Sequence, residues 1–461
     1  MNDSRATIPS AGDALSARTH QMLHAPLVAT LLRLAMPNIM GLFAMTLIVG
    51  YDGFILGRLG ANALAGIALV LPLSMLMLQM SNGGMGGAVT AAVARALGGG
   101  RSDDAGRLAQ HAVLVACISG AVFTLAQVGF GRILYTAMGG RGAALDAALD
   151  YSNVLFGGAV VIWLTNLLSS CVRGSGNMLI PSLALLGTAT VHVALCPLLV
   201  FGWGPVKGMG IAGAAASMLT AYALAGAGLA AHLLRPGGTV QLRRVPWRLR
   251  VDLLRDILRV GLPSSLSPVI SNASIAAATA LVGSYGVAAL AGYGVAARLE
   301  YILVPIAFGF GTALTAMVAT NMGAGQPQRA LRVAWTGAAV VAAITGTIGL
   351  AAALAPALWM NLFTADPAVR SFGSLYLKVV GGCYGLFGLG LALLFASQGA
   401  GRMAWPLTAN MSRLVVVAGA GWTCVQLLHA PATAFFFVVA ASFVVYASTM
   451  AAAIRLGGWT R

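Results

Sequence analysis

Two carboxylates hold most of the chemistry open to this chain. Of its eleven acidic residues, only Asp52 and Glu300 fall inside apolar stretches long enough to cross a bilayer. An ionisable side chain in hydrocarbon is costly, so by default it marks an ion pathway. Asp52 lies fifteen residues beyond Pro37, roughly 22 Å along a helix rising 1.5 Å per residue, which places it toward the outer end of its span. Ionised, it binds a cation. Protonated, it is a neutral hydrogen-bonding group, and the exchange can rearrange the helices around it. The competing reading is a boundary residue facing outer water or paired with Arg58.

Polar groups that share a half of the chain with Asp52 are its candidate partners. Asn38, Thr46, Asn153, Asn166, Thr188, Thr190 and His192 can line an internal path if their helix faces turn inward. Tyr51, next in sequence to Asp52, faces away at helical spacing. Histidine ordinarily titrates near neutral pH, so His192 is either a proton carrier or a neutral packing residue. Glu300 stands in "ARLEYILVP", and Arg298, two residues away, does not face it on an ideal helix. Glu300 either contacts a ligand or controls closure, or it belongs to an internal ion pair that only orders the helices.

Other chemistries are poorly supplied. Cys117, Cys171, Cys196, Cys383 and Cys424 lie in or beside apolar spans and form no close sequence pair, so they read as small hydrophobes with no metal, zinc or redox site and no cofactor. The glycine runs "SNGGMGG" (81–87) and "GGGRSDD" (98–104) lack the lysine-serine or lysine-threonine ending of a phosphate loop. No catalytic triad is visible, and the chain reads as no enzyme.

The elements that must position Asp52 follow from composition. With 59% apolar and 8% charged residues and a mean hydropathy of +0.87, 461 residues cannot be given a charged soluble surface. The chain reads as an all-α integral membrane protein. Apolar stretches predict twelve spans, near 31–56, 62–89, 108–131, 150–171, 181–201, 210–234, 258–282, 288–317, 334–358, 371–396, 406–428 and 432–454. Pro37, Pro72, Pro181, Pro263, Pro305 and Pro406 punctuate them. Each removes a backbone donor and can kink a helix, the alternative for any one being a helix start or a static kink.

The net charge of +16 suggests nucleic acid only if its placement is ignored. Arginines such as Arg95, Arg101, Arg107, Arg173, Arg243, Arg244, Arg250, Arg329 and Arg402 gather in alternate connections, which predicts both termini on the cytoplasmic side of a bacterial inner (plasma) membrane. Residues 1–24 then read as a cytoplasmic tail, 25–234 as a six-helix lobe, 235–257 as a basic linker with an interfacial helix, and 258–461 as a second six-helix lobe with a short tail.

The halves repeat. "RLAMP" (33–37), "GRLGANALAG" (57–66) and "AVARALGGG" (92–100) recur as "RVGLP" (259–263), "GSYGVAALAG" (283–292) and "MVATNMGAG" (317–325), at separations of 226 and then 225. "VRGSGNMLIP" (172–181) recurs as "SQGAGRMAWP" (397–406) at 225. Six helices return the chain to its starting side, so the halves share one topology around an axis along the membrane normal, with a cleft between them. Rocking of one bundle against the other then gives alternating access.

These blocks, with "YDGFILGRLGANALAG" and "ARLEYILVPIAFGFGTALTAMVATNMGAGQPQRA", resemble the multidrug and toxic compound extrusion (MATE) family over about residues 31–455. The resemblance implies efflux of structurally varied, often cationic, organic or amphipathic molecules, driven by inward movement of protons or sodium. It also implies a coupling carboxylate near this end of the first helix, which is Asp52. Some members carry a further acid on helix 5, where this chain has Thr188, Thr190 and His192, and that favours protons over sodium. Others carry acids in helices 7 and 10, where this chain offers Ser271 and Asn272 in the first and no acid in the second, so that cation site does not carry over. The protein is expected to work as a monomer in the lipid bilayer. A flippase for a lipid-linked precursor and, from another class, a channel or structural receptor are the alternatives.

Overall fold

The computed structural model describes residues 11–242, 246–457 and 459. Arg243 and Arg244 of the predicted linker, and the ends of both predicted tails, lie outside the described residues. After α1 (Ala11–His24) the chain forms α2 (Leu27–Gly57), α3 (Ala61–Leu78), a π-helical turn (Gln79–Met85), α4 (Gly86–Gly98), α5 (Ser102–Ala137), α6 (Gly142–Gly157), α7 (Ala159–Gly174), α8 (Leu179–Phe201) and α9 (Ile211–Leu234). The second half runs through α10 (Val251–Gly283), α11 (Val287–Gly323), α12 (Pro327–Leu354), the short α13 (Pro356–Met360), α14 (Pro367–Val380), a 3-10 turn (Gly381–Cys383), α15 (Tyr384–Ala400), α16 (Ala404–Val415) and α17 (Ala432–Arg455). Strands β1 (Gly202–Trp203) and β2 (Val206–Lys207) pair as a small antiparallel hairpin between α8 and α9.

Ten helices among the described residues are long and apolar enough to cross a membrane, and α6 with α7, which meet at 47°, make an eleventh. Beyond α16 the helix continues through π turns at Val416–Ala420 and Thr423–Leu427, so 404–427 supplies the twelfth segment of the predicted pattern. Every backbone polar group in hydrocarbon needs an internal partner, and helices provide it.

Several boundaries differ from expectation. Among the described residues the linker carries no helix separate from α10, which starts at Val251 and runs unbroken into its span. Ahead of it the chain is tied to α5, where the backbone N–H of Arg250 donates to His111 Nε2 (3.0 Å), Arg250 Nη1 donates to Asp104 Oδ1 (3.2 Å), and Gln110 Nε2 donates to the Leu242 carbonyl (2.8 Å). The predicted tail is helical from Ala11, and Asn321 Nδ2 on α11 donates to the Met22 carbonyl at 3.1 Å.

Two prolines do not bend helices. Pro181 and Pro406 sit at the third residue of α8 and α16, in first turns whose N–H groups have no intrahelical acceptor to lose. Pro37, Pro72, Pro263 and Pro305 are interior, as are Pro197 and Pro268, which the repeat pattern did not single out. The 47° bend between α6 and α7 falls at Gly157 and Gly158 and involves no proline.

The repeat is visible in packing. Thr90 Oγ1 on α4 donates to the Ser170 carbonyl on α7 (3.0 Å), and 225 residues on Thr315 Oγ1 donates to the Phe395 carbonyl (2.9 Å). A Cβ at Gly174 would press on the Thr90 carbonyl and Val93, and one at Gly399 on the Thr315 carbonyl and Val318. Small residues let backbones approach where lipid offers no hydrophobic drive to associate.

The halves meet toward the arginine-rich end. Nearly all of α4, and α11 from Ala307 to Asn321 apart from Phe308, is buried. Arg95 Nη2 binds both carboxylate oxygens of Asp256 at 3.0 Å while its Nη1 donates to the Gly399 carbonyl at 3.1 Å. Opening the helix to i→i+5 bonding at Gln79–Met85 frees carbonyls, and Gln398 Nε2 donates to those of Gly83 (2.9 Å) and Gly84 (3.0 Å).

Candidate functional site

Asp52 lies in the last two turns of α2 and is buried. Its Oδ1 sits 2.8 Å from His192 Nε2 on α8, and His192 Nδ1 sits 2.8 Å from Ser217 Oγ on α9. The imidazole is fully buried while the Asp52 side chain keeps 8% exposure, so the carboxylate is the less enclosed end of this chain of bonds.

The proton inventory of this chain has two complete solutions. Ser217 Oγ also lies 2.8 Å from the Ala214 carbonyl, and a hydroxyl has one proton to give. If Ser217 donates to His192 Nδ1, Nε2 carries the imidazole proton and donates to ionised Asp52. If Ser217 donates to Ala214, Nδ1 carries a proton and donates to Ser217 Oγ, and the Nε2 to Oδ1 contact must hold a second proton on one atom or the other. The two arrangements differ by one proton, and each leaves Asp52, His192 and Ser217 hydrogen-bonded. Matching of this kind matters because an unpaired polar group in a low-dielectric interior costs about 1–3 kcal/mol.

Tyr51 belongs to the same wall. Its hydroxyl donates to the Val193 carbonyl at 2.8 Å, and its ring meets that of His192 edge-on at 6.4 Å. Tyr51 and Asp52, adjacent on α2, thus reach consecutive residues of α8, Val193 and His192, a contact helical spacing alone does not reveal. Arg58 is not a partner of Asp52: its guanidinium carbon lies 4.7 Å from the Phe54 ring centroid.

The other predicted partners lie elsewhere. Asn38 Nδ2 donates to Thr312 Oγ1 on α11 at 2.7 Å and joins the halves. Asn166 Nδ2 donates to Ser81 Oγ at 2.8 Å. Thr46, Thr188 and Thr190 donate to the carbonyls of Leu42, Ala184 and Leu186 in their own helices, and Asn153 is exposed. Of the seven, His192 alone bonds Asp52.

One cysteine stands beside the same bonded chain. His192 and Cys196 stand four residues apart on α8, hence on one face, and ligand atoms of Asp52, His192 and Cys196 all lie within 4.8 Å of one another. Carboxylate, imidazole and thiol together suit a borderline transition metal. The spacing His-x-x-x-Cys was the signal available in the sequence.

In the second half, Glu300 on α11 accepts hydrogen bonds from Tyr376 (2.8 Å) and Tyr384 (3.4 Å). Arg298 is exposed and lies 5.5 Å from the Phe363 ring centroid. Arg413 is seated over Phe443 at 4.7 Å and Phe387 at 5.6 Å, and the Phe443 ring meets that of Tyr384 at 6.3 Å. No ion pair to Glu300 occurs among the described residues, so of the two readings the internal salt bridge is not formed here, and two phenols hold the carboxylate instead. Ser271 Oγ pairs with Asn410 Oδ1 at 3.4 Å, and Asn272 Nδ2 donates to the Pro268 carbonyl of its own helix.

Between the halves, a crevice too narrow for water is bordered by Asn82, Arg173, Thr312 and Gln398. Arg173 is buried and donates Nη1 to Asn82 Oδ1, with no carboxylate partner among the described residues. Gln398 is its counterpart 225 residues on.

The family model MatE matches the chain twice, over residues 37–198 and 263–423, one match to each copy of the repeat. The chain belongs to the MatE family. Members are transporters, and the fold matches solved ones. This MatE chain superimposes with a TM-score of 0.85, at 23% identity, on a MOP superfamily transporter from Pyrococcus furiosus, covering 96% of this chain and 98% of that one. It superimposes with a TM-score of 0.83, at 24% identity, on an outward-facing multidrug resistance MATE family transporter, over 96% and 98%. Among sequence relatives, an FAD transporter of Shewanella oneidensis is 26% identical, with 86% of this chain and 88% of the relative covered. A probable multidrug resistance protein NorM of Thermotoga maritima is 25% identical, over 81% and 79%.

Proposed function

We propose that this MatE protein is a monomeric antiporter of the inner membrane that exports organic compounds by alternating access, driven by inward movement of protons through Asp52. The observation that carries the reading is the buried chain Asp52, His192 and Ser217, which accepts or releases one proton without stranding a polar group. A sodium ion needs several oxygen ligands, and this chain of bonds offers Asp52 a nitrogen partner instead, so protons are favoured over sodium.

Coupling runs along α2. The helix that carries Asp52 near one end makes the Asn38 to Thr312 contact with the other half fourteen residues earlier, roughly 21 Å away at helical rise. Changing the charge at Asp52 changes how α2 sits against α8 and α9, and with it the contact between halves. The effect is reciprocal: a proton that weakens cargo binding is itself weakened by cargo. The arginine-rich end, taken as cytoplasmic, is the closed end here.

The cargo is proposed to be structurally varied and often cationic, as the relatives named for multidrug export suggest. A second reading has support of its own: Arg173 is a buried cation beside the crevice with no acidic partner among the described residues, and one relative is an FAD transporter. Both point to an anionic, flavin-like cargo.

Export in proteoliposomes under separately imposed proton and sodium gradients tests the proposal. A proton gradient should sustain export by the wild type and not by Asp52→Asn. Undiminished gradient-driven export by Asp52→Asn removes the assigned role, and a sodium gradient acting alone removes the proton. Competition between ethidium and FAD for export separates the cargo classes.

A further inference from the structure

We propose that Asp52, His192 and Cys196 form a binding site for a divalent transition-metal ion of the zinc class, and that its occupancy pins α2 to α8 and stops export. The second clause rests on the transport reading above; the first does not.

The three ligand atoms already lie within 4.8 Å of one another, all on buried residues. Tetrahedral zinc with bonds of about 2.0 Å to nitrogen and oxygen and 2.3 Å to sulfur needs ligand atoms roughly 3.3–3.6 Å apart. Reaching that from the 2.8 Å between Nε2 and Oδ1 takes a small rotation of Asp52, whose side chain keeps 8% exposure while that of His192 keeps none. The fourth position is left to water.

Charge favours a divalent ion. Binding displaces the thiol proton, and any proton held between Nε2 and Oδ1 beyond the one that moves to Nδ1, to solvent, leaving thiolate and carboxylate as two negative ligands that cancel the metal's two positive charges around a neutral imidazole. The loaded site is then neutral overall, which a buried site requires far more than a surface one does. With Nε2 on the metal the imidazole proton sits on Nδ1 and is donated to Ser217 Oγ, 2.8 Å away, whose own proton goes to the Ala214 carbonyl, the outer-shell support metal-bound histidines use. The soft sulfur selects against sodium, magnesium and calcium, which take oxygen ligands. Cys171 and Cys424, also buried, belong to no such group among the described residues.

The purified full-length protein titrated with Co2+ tests the site. The wild type should bind one equivalent with a thiolate-to-cobalt charge-transfer band that Zn2+ bleaches. Cys196→Ser should lose the band, Ser217→Ala should bind about 10-fold more weakly, and Cys171→Ser should keep the wild-type spectrum. A missing band in the wild type, or one that survives Cys196→Ser, overturns the site. In proteoliposomes, Zn2+ should inhibit the wild type, with the half-inhibiting concentration rising at least about 10-fold in Cys196→Ser, as expected for a lost ligand. Zinc-insensitive export by a protein that shows the band overturns the pinning. If no export is seen at all, the transport reading fails while the band still decides the site.

Discussion

Gly98 and Gly323 lie 225 positions apart and press on each other's helices reciprocally: a Cβ at Gly98 would fall 2.1 Å from the Thr320 carbonyl oxygen, and one at Gly323 2.1 Å from the Arg95 carbonyl oxygen. Arg95 and Thr320 are themselves 225 apart. The contact is therefore self-complementary about the axis relating the two halves, and it closes the arginine-rich end.

Adding a methyl there must part the helices, because a backbone carbonyl cannot rotate away as a side chain would. Gly98→Ala and Gly323→Ala should each destabilise the closed contact by about 1–3 kcal/mol, the usual cost of overpacking. Distances between spin labels in the 98–102 and 323–328 loops should lengthen in both variants. Unchanged distance distributions would show that the contact does not hold that end shut.

The Arg95 to Asp256 pair is a second tie between the halves, with Asp256 44% exposed. Solvent screening limits such a pair to about 0–1 kcal/mol. Asp256→Asn should leave the melting temperature within a few degrees but shift the same label distances toward the open form. The shift should shrink at high salt, where the wild-type pair is already screened. A salt-independent difference would point to the Gly399 carbonyl contact of Arg95 as the true tie.

Ser217→Ala should slow proton-driven export about fivefold or more, the equivalent of losing one hydrogen bond of about 1 kcal/mol. Ser217→Thr keeps the hydroxyl and should recover most of the rate. Nitrogen NMR of labelled histidine checks the cause: His192 should lose the hydrogen-bonded signature at Nδ1 in the alanine variant alone. A purely structural role for Ser217 would lower stability without moving that signal.

Glu300 separates shape from charge. An amide oxygen still accepts from Tyr376 and Tyr384, so Glu300→Gln should unfold within a few degrees of the wild type. Glu300→Ala strands two buried phenols and should cost about 1–3 kcal/mol, read as a lower melting temperature in detergent. Equal losses in both variants would mean that the negative charge, and not the hydrogen bonds, stabilises this cluster.

Much of this protein can be read from residue order. Hydropathy marks the spans because lipid satisfies no backbone group, and the glycine and proline blocks reveal the repeat because turns and close approaches demand those residues at the same places in both halves: Gly60 and Gly286 begin helices at φ of 105° and 101°. Asp52 stands out because a carboxylate in hydrocarbon is rare, whereas residue order alone leaves His192 as one of seven polar candidates. The six other partners, the proline bends at Pro181 and Pro406, and the Arg58 alternative were one-dimensional inferences about faces and neighbours. The partners each side chain bonds depended on a second helix, while Pro181 and Pro406 fall in the first turns of their own helices.

The order of residues alone determined that the chain crosses a membrane many times, that its halves match, and that one buried acid is available near the end of the first span, since each follows from local composition and periodicity. Tertiary structure decided that α2, α8 and α9 bring Asp52, His192, Ser217 and Cys196 together, that Asn38 serves the junction between halves, and that Glu300 answers to tyrosines. Those outcomes depend on which helix faces meet and at what rotation. Small residues on several distant helices set that jointly, and no single stretch of sequence contains it.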